Sequence, residues 1–281
     1  MKTILLPFQD DDVAELALET ALMVASQFNS YLEGLYVLTQ PQVIAGEGIA
    51  FPAVYLSQAA EDGRKLADAA RARFEAYLRG KDIPLGNIGD HMEGVCGAWR
   101  EQEGVETQIV GEYSRLFDLV VIARTNKVYT GDWNSICEAA LFDSGRPVLI
   151  AGDRSAQSMS EHIVIAWNGS TETARAIALG MPFLRIADRV TVLTVEGGTV
   201  PGPTGDEVAR HLSRHGIRAT AMTGQPDGQP TGEAILHQAH ALGADLLIKG
   251  AYTHTRLRQM IFGGATRHIL SEATIPVLMA H

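Results

Sequence analysis

Cysteine is scarce in this chain, and long apolar runs are missing from it. Its two cysteines, Cys96 and Cys137, are too few for a disulfide framework and form no Cys-x-x-Cys pair, which predicts two free thiols in a reducing cytoplasm. No stretch approaches the roughly 18 apolar residues that a membrane helix needs, and residues 1–8 are too short an apolar run for a signal peptide. We therefore expect a cytoplasmic protein.

Basic residues are also in short supply. The chain has 23 Lys and Arg against 33 Asp and Glu, a net charge of −10. Without a basic excess to displace counterions, we expect no binding to nucleic acid or to an anionic membrane. Apolar residues make up 46% of the 281 positions, which is ordinary for a globular protein and leaves room for two domains of common size.

An internal repeat organises the sequence. Short apolar runs, bounded by polar residues and followed by helical patterns, occur at matching places in the two halves. The matching runs are residues 3–9 and 162–168, 117–123 and 244–250, and 146–150 and 275–279. Such runs suit strands that are buried on both faces. Strands that alternate with helices predict a parallel sheet covered by helices on both sides, with right-handed crossovers.

The repeat predicts two tandem domains, residues 1–152 and 160–281, separated by a polar linker at 152–158. Each is expected to be a Rossmann-like α/β domain with a doubly wound, mostly parallel five-stranded sheet. Because both halves end in similar Pro-Val-Leu strands, we expect an intramolecular pseudo-dimer in which those strands pair across the interface. We expect two sheets rather than one continuous sheet.

The candidate ligand site follows the fourth strand of the second half. In an open α/β sheet, ligands bind beyond the carboxyl ends of the strands. Here Gly250 ends a strand, and the pair Gly263-Gly264 precedes the last helix. Glycine lets a backbone approach a ligand closely, and free N–H groups at a helix start attract anions. A purely structural role as turn residues is the alternative, and the spacing favours phosphate binding.

These residues, together with the whole-length repeat, resemble the universal stress protein family. Its nucleotide-binding members carry a glycine, two residues, a second glycine, nine residues, and a third glycine followed by serine or threonine. Gly250 and Gly263 fill the first and third glycine positions. Thr253 stands at the second, and Gly264 replaces the hydroxyl residue.

The resemblance extends to the adenosine end of the site. The family places an aspartate after its first strand, where this chain has Asn168, and lines its adenine pocket at the place of Val195. The resemblance implies a stress-response regulator that binds ATP or another adenine nucleotide, with or without Mg²⁺. The implied binding residues are Asn168, Val195, Gly250, Thr253, Gly263, Gly264 and Ala265.

The first half departs further from the family pattern. Gln9 replaces the aspartate, Ala123 replaces the first glycine, and the following loop is two residues shorter. Asp132 and Trp133 stand where a phosphate needs open backbone, although Ser135 keeps the hydroxyl. We therefore predict a degenerate site that serves packing between the halves, and one nucleotide per chain.

Two other functions remain open. No general base, nucleophile or carboxylate pair is apparent, so we expect no efficient catalysis, and slow ATP hydrolysis is one alternative. An interaction or scaffold module without nucleotide is the other. Beside the pseudo-dimer, a homodimer of the whole chain also remains open. His211 and His215 have metal-ligand spacing without a third ligand, which favours an exposed helix face. Arg256 and Arg258 either reach a phosphate or are solvent-exposed.

Overall fold

The computed structural model describes residues 1–9, 13–39, 53–86, 94–124, 133–251 and 264–281. The first half contains β1 Thr3–Pro7, α1 Ala14–Phe28, β2 Tyr31–Leu38, α2 Ala53–Gly80, β3 Cys96–Glu103, α3 Glu106–Tyr113, a 3-10 turn Ser114–Leu116, β4 Leu119–Ile122, α4 Trp133–Asp143 and β5 Val148–Ile150. The second half contains β6 His162–Ala166, α5 Thr171–Ile186, β7 Arg189–Val195, α6 Gly205–Arg214, β8 Ala219–Gly224, α7 Thr231–Ala241, β9 Leu246–Gly250, α8 Gly264–Glu272 and β10 Val277–Ala280.

The strands form one ten-stranded sheet in the order β3-β2-β1-β4-β5-β10-β9-β6-β7-β8. Neighbouring strands run parallel within each half, and β5 and β10 pair antiparallel with Leu149 opposite Leu278. The mostly parallel α/β fold is confirmed, and the closing strands do pair. The expectation of two sheets is wrong. Both closing strands are fully buried, so the backbone N–H and C=O groups at their edges need hydrogen-bond partners. By pairing, the two strands supply these partners to each other.

Successive side chains along a strand point to opposite faces of the sheet. Ile4 and Leu6 of β1 belong to one apolar cluster, whereas Leu5 belongs to the cluster on the opposite face, and all three are fully buried. This is the period of two that a strand covered by helices on both faces requires. Among the described helices, none is long and apolar enough to cross a membrane.

The strand order in the second half fixes where a ligand site can lie. From β6 the chain moves outward to β7 and β8, then returns to the other side of β6 with β9 and β10. The direction therefore reverses between β6 and β9. Loops that follow two such strands diverge to opposite faces and leave a crevice at the carboxyl edge.

Candidate functional site

Asn168, just beyond β6, is held by the first turn of α5. Its side-chain oxygen accepts the backbone N–H of Ser170 at 3.2 Å and the hydroxyl of Thr173 at 2.7 Å. Ser170 is the N-cap of α5, and its hydroxyl accepts the backbone N–H of Thr173 at 3.2 Å. The amide oxygen at this position thus stabilises the turn that begins α5.

Gly250, at the end of β9, packs directly on the same helical turn. A Cβ built at Gly250 would lie 2.4 Å from the backbone nitrogen of Thr173 and 2.7 Å from the carbonyl carbon of Glu172. No side chain fits at that distance from backbone atoms, so packing alone requires glycine here. Thr173 therefore contacts two of the predicted site residues, Asn168 and Gly250, and brings them to one place.

Val195 ends β7 and is only 3% exposed. The segment after it folds back over the turn that follows β6. The backbone N–H of Val200 donates to the Asn168 carbonyl at 2.8 Å, and the indole N–H of Trp167 donates to the Pro203 carbonyl at 2.8 Å. Val195 lies at the predicted edge of the sheet, but its side chain belongs to the core rather than to an open cleft.

Gly169 allows that segment to lie so close. Its φ is +85°, in the region that favours glycine, and a Cβ there would meet the Val200 carbonyl oxygen at 2.5 Å. The glycine after Asn168 is therefore explained by a turn and a close backbone approach.

Gly264 and Ala265 form the start of α8. No described atom lies within 4 Å of a Cβ built at Gly264, so the described part of the chain leaves its surroundings open. Ala265 faces α7, because a Cβ at Gly232 would lie 2.8 Å from the Ala265 carbonyl oxygen. Helix α8 has no acidic residue in its first turn, so its free N–H groups can attract an anion. Thr253, Gly263, Arg256 and Arg258 lie outside the described residues.

Lys249 is a site residue that the sequence reasoning missed. It lies in β9 with only 8% of its surface exposed, and its ammonium donates to the Gly250 carbonyl and to the Thr266 hydroxyl, each at 2.8 Å. Burial lowers the pKa of this ammonium to about 8, because desolvation disfavours the charged form. The signal was a lone lysine in an otherwise apolar strand.

At the corresponding positions of the first half, Trp133 and Arg124 hydrogen-bond to backbone carbonyls. The indole N–H of Trp133 donates to the Ala123 carbonyl at 2.7 Å. The neighbouring Arg124 is 4% exposed, and burial lowers the pKa of its guanidinium to about 10. It donates to three backbone carbonyls, those of Ala151, Ile269 and Leu270. Since the last two belong to α8, Arg124 joins the halves.

The other first-half residues are placed as follows. Gln9 follows β1, and its amide donates to Glu106 at 2.8 Å, on the surface. Burial raises the pKa of the Glu106 carboxyl. Ser135 lies in the first turn of α4, and Asp132 lies outside the described residues.

No described group of three or more His, Cys, Asp or Glu side chains could hold a metal ion. His211 and His215 pack edge to face at the end of α6, with ring centroids 4.9 Å apart. Cys96 and Cys137 are both buried and form no disulfide, and burial raises the pKa of the Cys137 thiol to about 12.

Comparison with known proteins identifies relatives over the whole chain. The family described as the universal stress protein family matches residues 223–281, which include β9 and α8. A curated relative, universal stress protein Slr1230 from Synechocystis sp., is 22% identical over 302 residues and covers 99% of both chains.

Solved structures share the fold at low sequence identity. A universal stress protein from Archaeoglobus fulgidus superimposes with a TM-score of 0.68 at 16% identity, covering 99% of this chain and 95% of that one. A putative universal stress protein from Pseudomonas aeruginosa gives a TM-score of 0.55 at 15% identity, covering 100% of this chain and 93% of that one. The resemblance to the universal stress protein family is confirmed.

Proposed function

We propose, from the resemblance of this chain to universal stress proteins over its whole length, that it is a stress-response regulator that binds one adenine nucleotide. The nucleotide would bind in residues 160–281, with its phosphates at the first turn of α8. The observation that supports this most directly is Gly264. It begins a helix at the carboxyl edge of the sheet, beside the switch point, with no described atom within 4 Å of a Cβ built there.

The spacing of the glycines agrees with that location. Gly250 and Gly263 keep the distance of the family's phosphate motif, and Gly264 and Ala265 offer backbone N–H groups at the helix start. Gly250 allows the first turn of α5 to pack directly on the end of β9. We therefore assign phosphate contact to Gly263, Gly264 and Ala265, and a hydroxyl contact to Thr253. Asn168 and Val195 border the adenosine end.

The first half is proposed as a packing domain, residues 1–152, that pairs with the second half as an intramolecular pseudo-dimer. Trp133 and Arg124 support this, because they hydrogen-bond to backbone carbonyls at the positions that correspond to the phosphate site, and Arg124 connects them to α8. One nucleotide per chain follows. We place the protein in the cytoplasm, since its cysteines are buried and form no disulfide.

The first turn of α8 offers Mg²⁺ no carboxylate ligand. The sequence of residues 252–263 contains neither aspartate nor glutamate. Mg²⁺ prefers carboxylate and phosphate oxygens, so the described site offers it no carboxylate in that turn. For the same reason we do not propose ATP hydrolysis, which relies on positioned metal ions and a base or water-orienting residue.

A scaffold without nucleotide is the second candidate. It is favoured by one observation: the Asn168 oxygen and the Val195 side chain, both predicted to border adenosine, are engaged within the protein. Failure of every adenine nucleotide to bind would favour this function.

Replacing Gly264 with valine should weaken ATP binding by at least about tenfold and leave the fold intact. The new side chain would meet no described atom within 4 Å and would hinder close approach of a phosphate to the backbone N–H groups of α8. Calorimetric titration with ATP measures the change. Gly63→Val is the matched control, because its Cβ also meets no described atom within 4 Å but it lies in α2. Equal ATP affinity of Gly264→Val and the unsubstituted chain would refute the assignment.

A further inference from the structure

Lys249 is a buried cation without an anionic partner among the described residues. Two of its three ammonium hydrogens are accepted by neutral oxygens, those of Gly250 and Thr266. Desolvation is the only influence on its pKa, with no contribution from a described carboxylate. Because a buried charge is costly unless it is paired, a lysine here needs a compensating interaction.

The surroundings of Lys249 make that cost greater. On the adjacent strands its register partners are Ala166 and Met279, which carry no charge. Its ammonium lies against the first turn of α8, which is the positive end of the helix dipole. The sequence of residues 252–263 contains no acidic residue. The helix start is therefore unfavourable to a cation and favourable to an anion, and the neutral neighbours do not offset the charge of Lys249.

Thr266 links this ammonium to the front of the helix. An ammonium can only donate, so the Thr266 oxygen accepts from Lys249 and its own hydrogen remains available for another acceptor. Thr266 is 4% exposed. An oxygen of a ligand bound at the same helix start can accept that hydrogen, as can a backbone carbonyl of the preceding turn.

We propose that Lys249 supplies the counter-charge for a polyphosphate bound at the first turn of α8, so that the site selects ligands by their phosphate charge. This inference rests on the proposed function, because it concerns the same site. It adds that the site prefers a triphosphate to a monophosphate. Lys249 is a positioning and charge-supplying residue. It acts on the ligand through its field and through the Thr266 hydroxyl.

The test uses the full chain and three probes: ATP, inorganic tripolyphosphate and adenosine. Lys249→Gln keeps a hydrogen-bond donor and removes the charge, whereas Lys249→Met removes both at similar length. We expect both variants to bind ATP and tripolyphosphate at least about tenfold more weakly, with adenosine binding unchanged. Lys65→Met is the control, because the Lys65 side chain is 62% exposed on α2. Thermal melting checks that each variant folds.

The outcomes separate this inference from the proposed function. If the Lys249→Gln variant binds ATP and tripolyphosphate like the unsubstituted chain, the inference is overturned and nucleotide binding stands. A third outcome is that tripolyphosphate binding depends on Lys249 and that ATP binds no more tightly than tripolyphosphate. In that case the anion site stands, and the adenine nucleotide function fails. If no probe binds the unsubstituted chain, both are overturned.

Discussion

Replacing Arg124 with alanine is expected to reduce the free energy of unfolding by about 4 kcal/mol. The side chain is buried between the two halves, where it donates to the Ala151 carbonyl and to two carbonyls of α8. Its removal leaves a cavity and three buried carbonyls that lose their donor. It also removes a cation from the carboxyl end of a helix, where positive charge is favourable.

Urea denaturation of the full chain measures this loss. Arg115→Ala is a suitable control, because Arg115 also donates to a backbone carbonyl, that of Asp143 at 3.0 Å, but on the surface. We expect the control to lose less than about 1 kcal/mol. A loss of that small size for Arg124→Ala would show that the first-half segment does not hold the halves together.

Gly250→Ala is expected to destabilise the chain by about 3 kcal/mol, even without ligand. The added Cβ would overlap the backbone nitrogen of Thr173 at 2.4 Å, so the end of β9 and the first turn of α5 would have to separate. Both are main-chain segments, and neither can yield as a flexible side chain would.

The matched substitution is Gly63→Ala, which meets no described atom within 4 Å in α2 and should stabilise the helix by about 0.5 to 1 kcal/mol. The two changes add the same methyl group, so the opposite signs isolate the effect of packing. Denaturation midpoints measure both. Unchanged stability of Gly250→Ala would mean that glycine is required there for the ligand alone.

The fold was predictable because its signals are local and repeated. Buried parallel strands produce apolar runs such as residues 162–168, and helices between them produce a different period, so element order could be inferred. The joining of the two halves into one continuous sheet could not be predicted. The similar Pro-Val-Leu strands predicted that β5 and β10 pair, but whether this pairing joins both halves into one continuous sheet depends on contacts between distant residues.

The candidate site was only partly predictable for a similar reason. Spacing could identify Gly250 as special but could not tell packing from phosphate contact, which depends on the distance to Thr173. Asn168 could be placed beyond β6, whereas its bond to Thr173 depends on how α5 begins. Arg124 looked like an ordinary polar loop residue, since its acceptors lie far away in α8. Of the residues that the sequence reasoning missed, only Lys249 could have been recognised, as a lone lysine in an apolar strand.

Calorimetric titration of the full chain with ATP, at protein concentrations well above the dissociation constant, tests the central claim most directly. That claim is an anion site in the second half and none at the corresponding positions of the first. The account predicts a stoichiometry near one. It also predicts that Gly264→Val weakens this binding. A stoichiometry near two, or the absence of any binding heat at high ATP concentration, would contradict it.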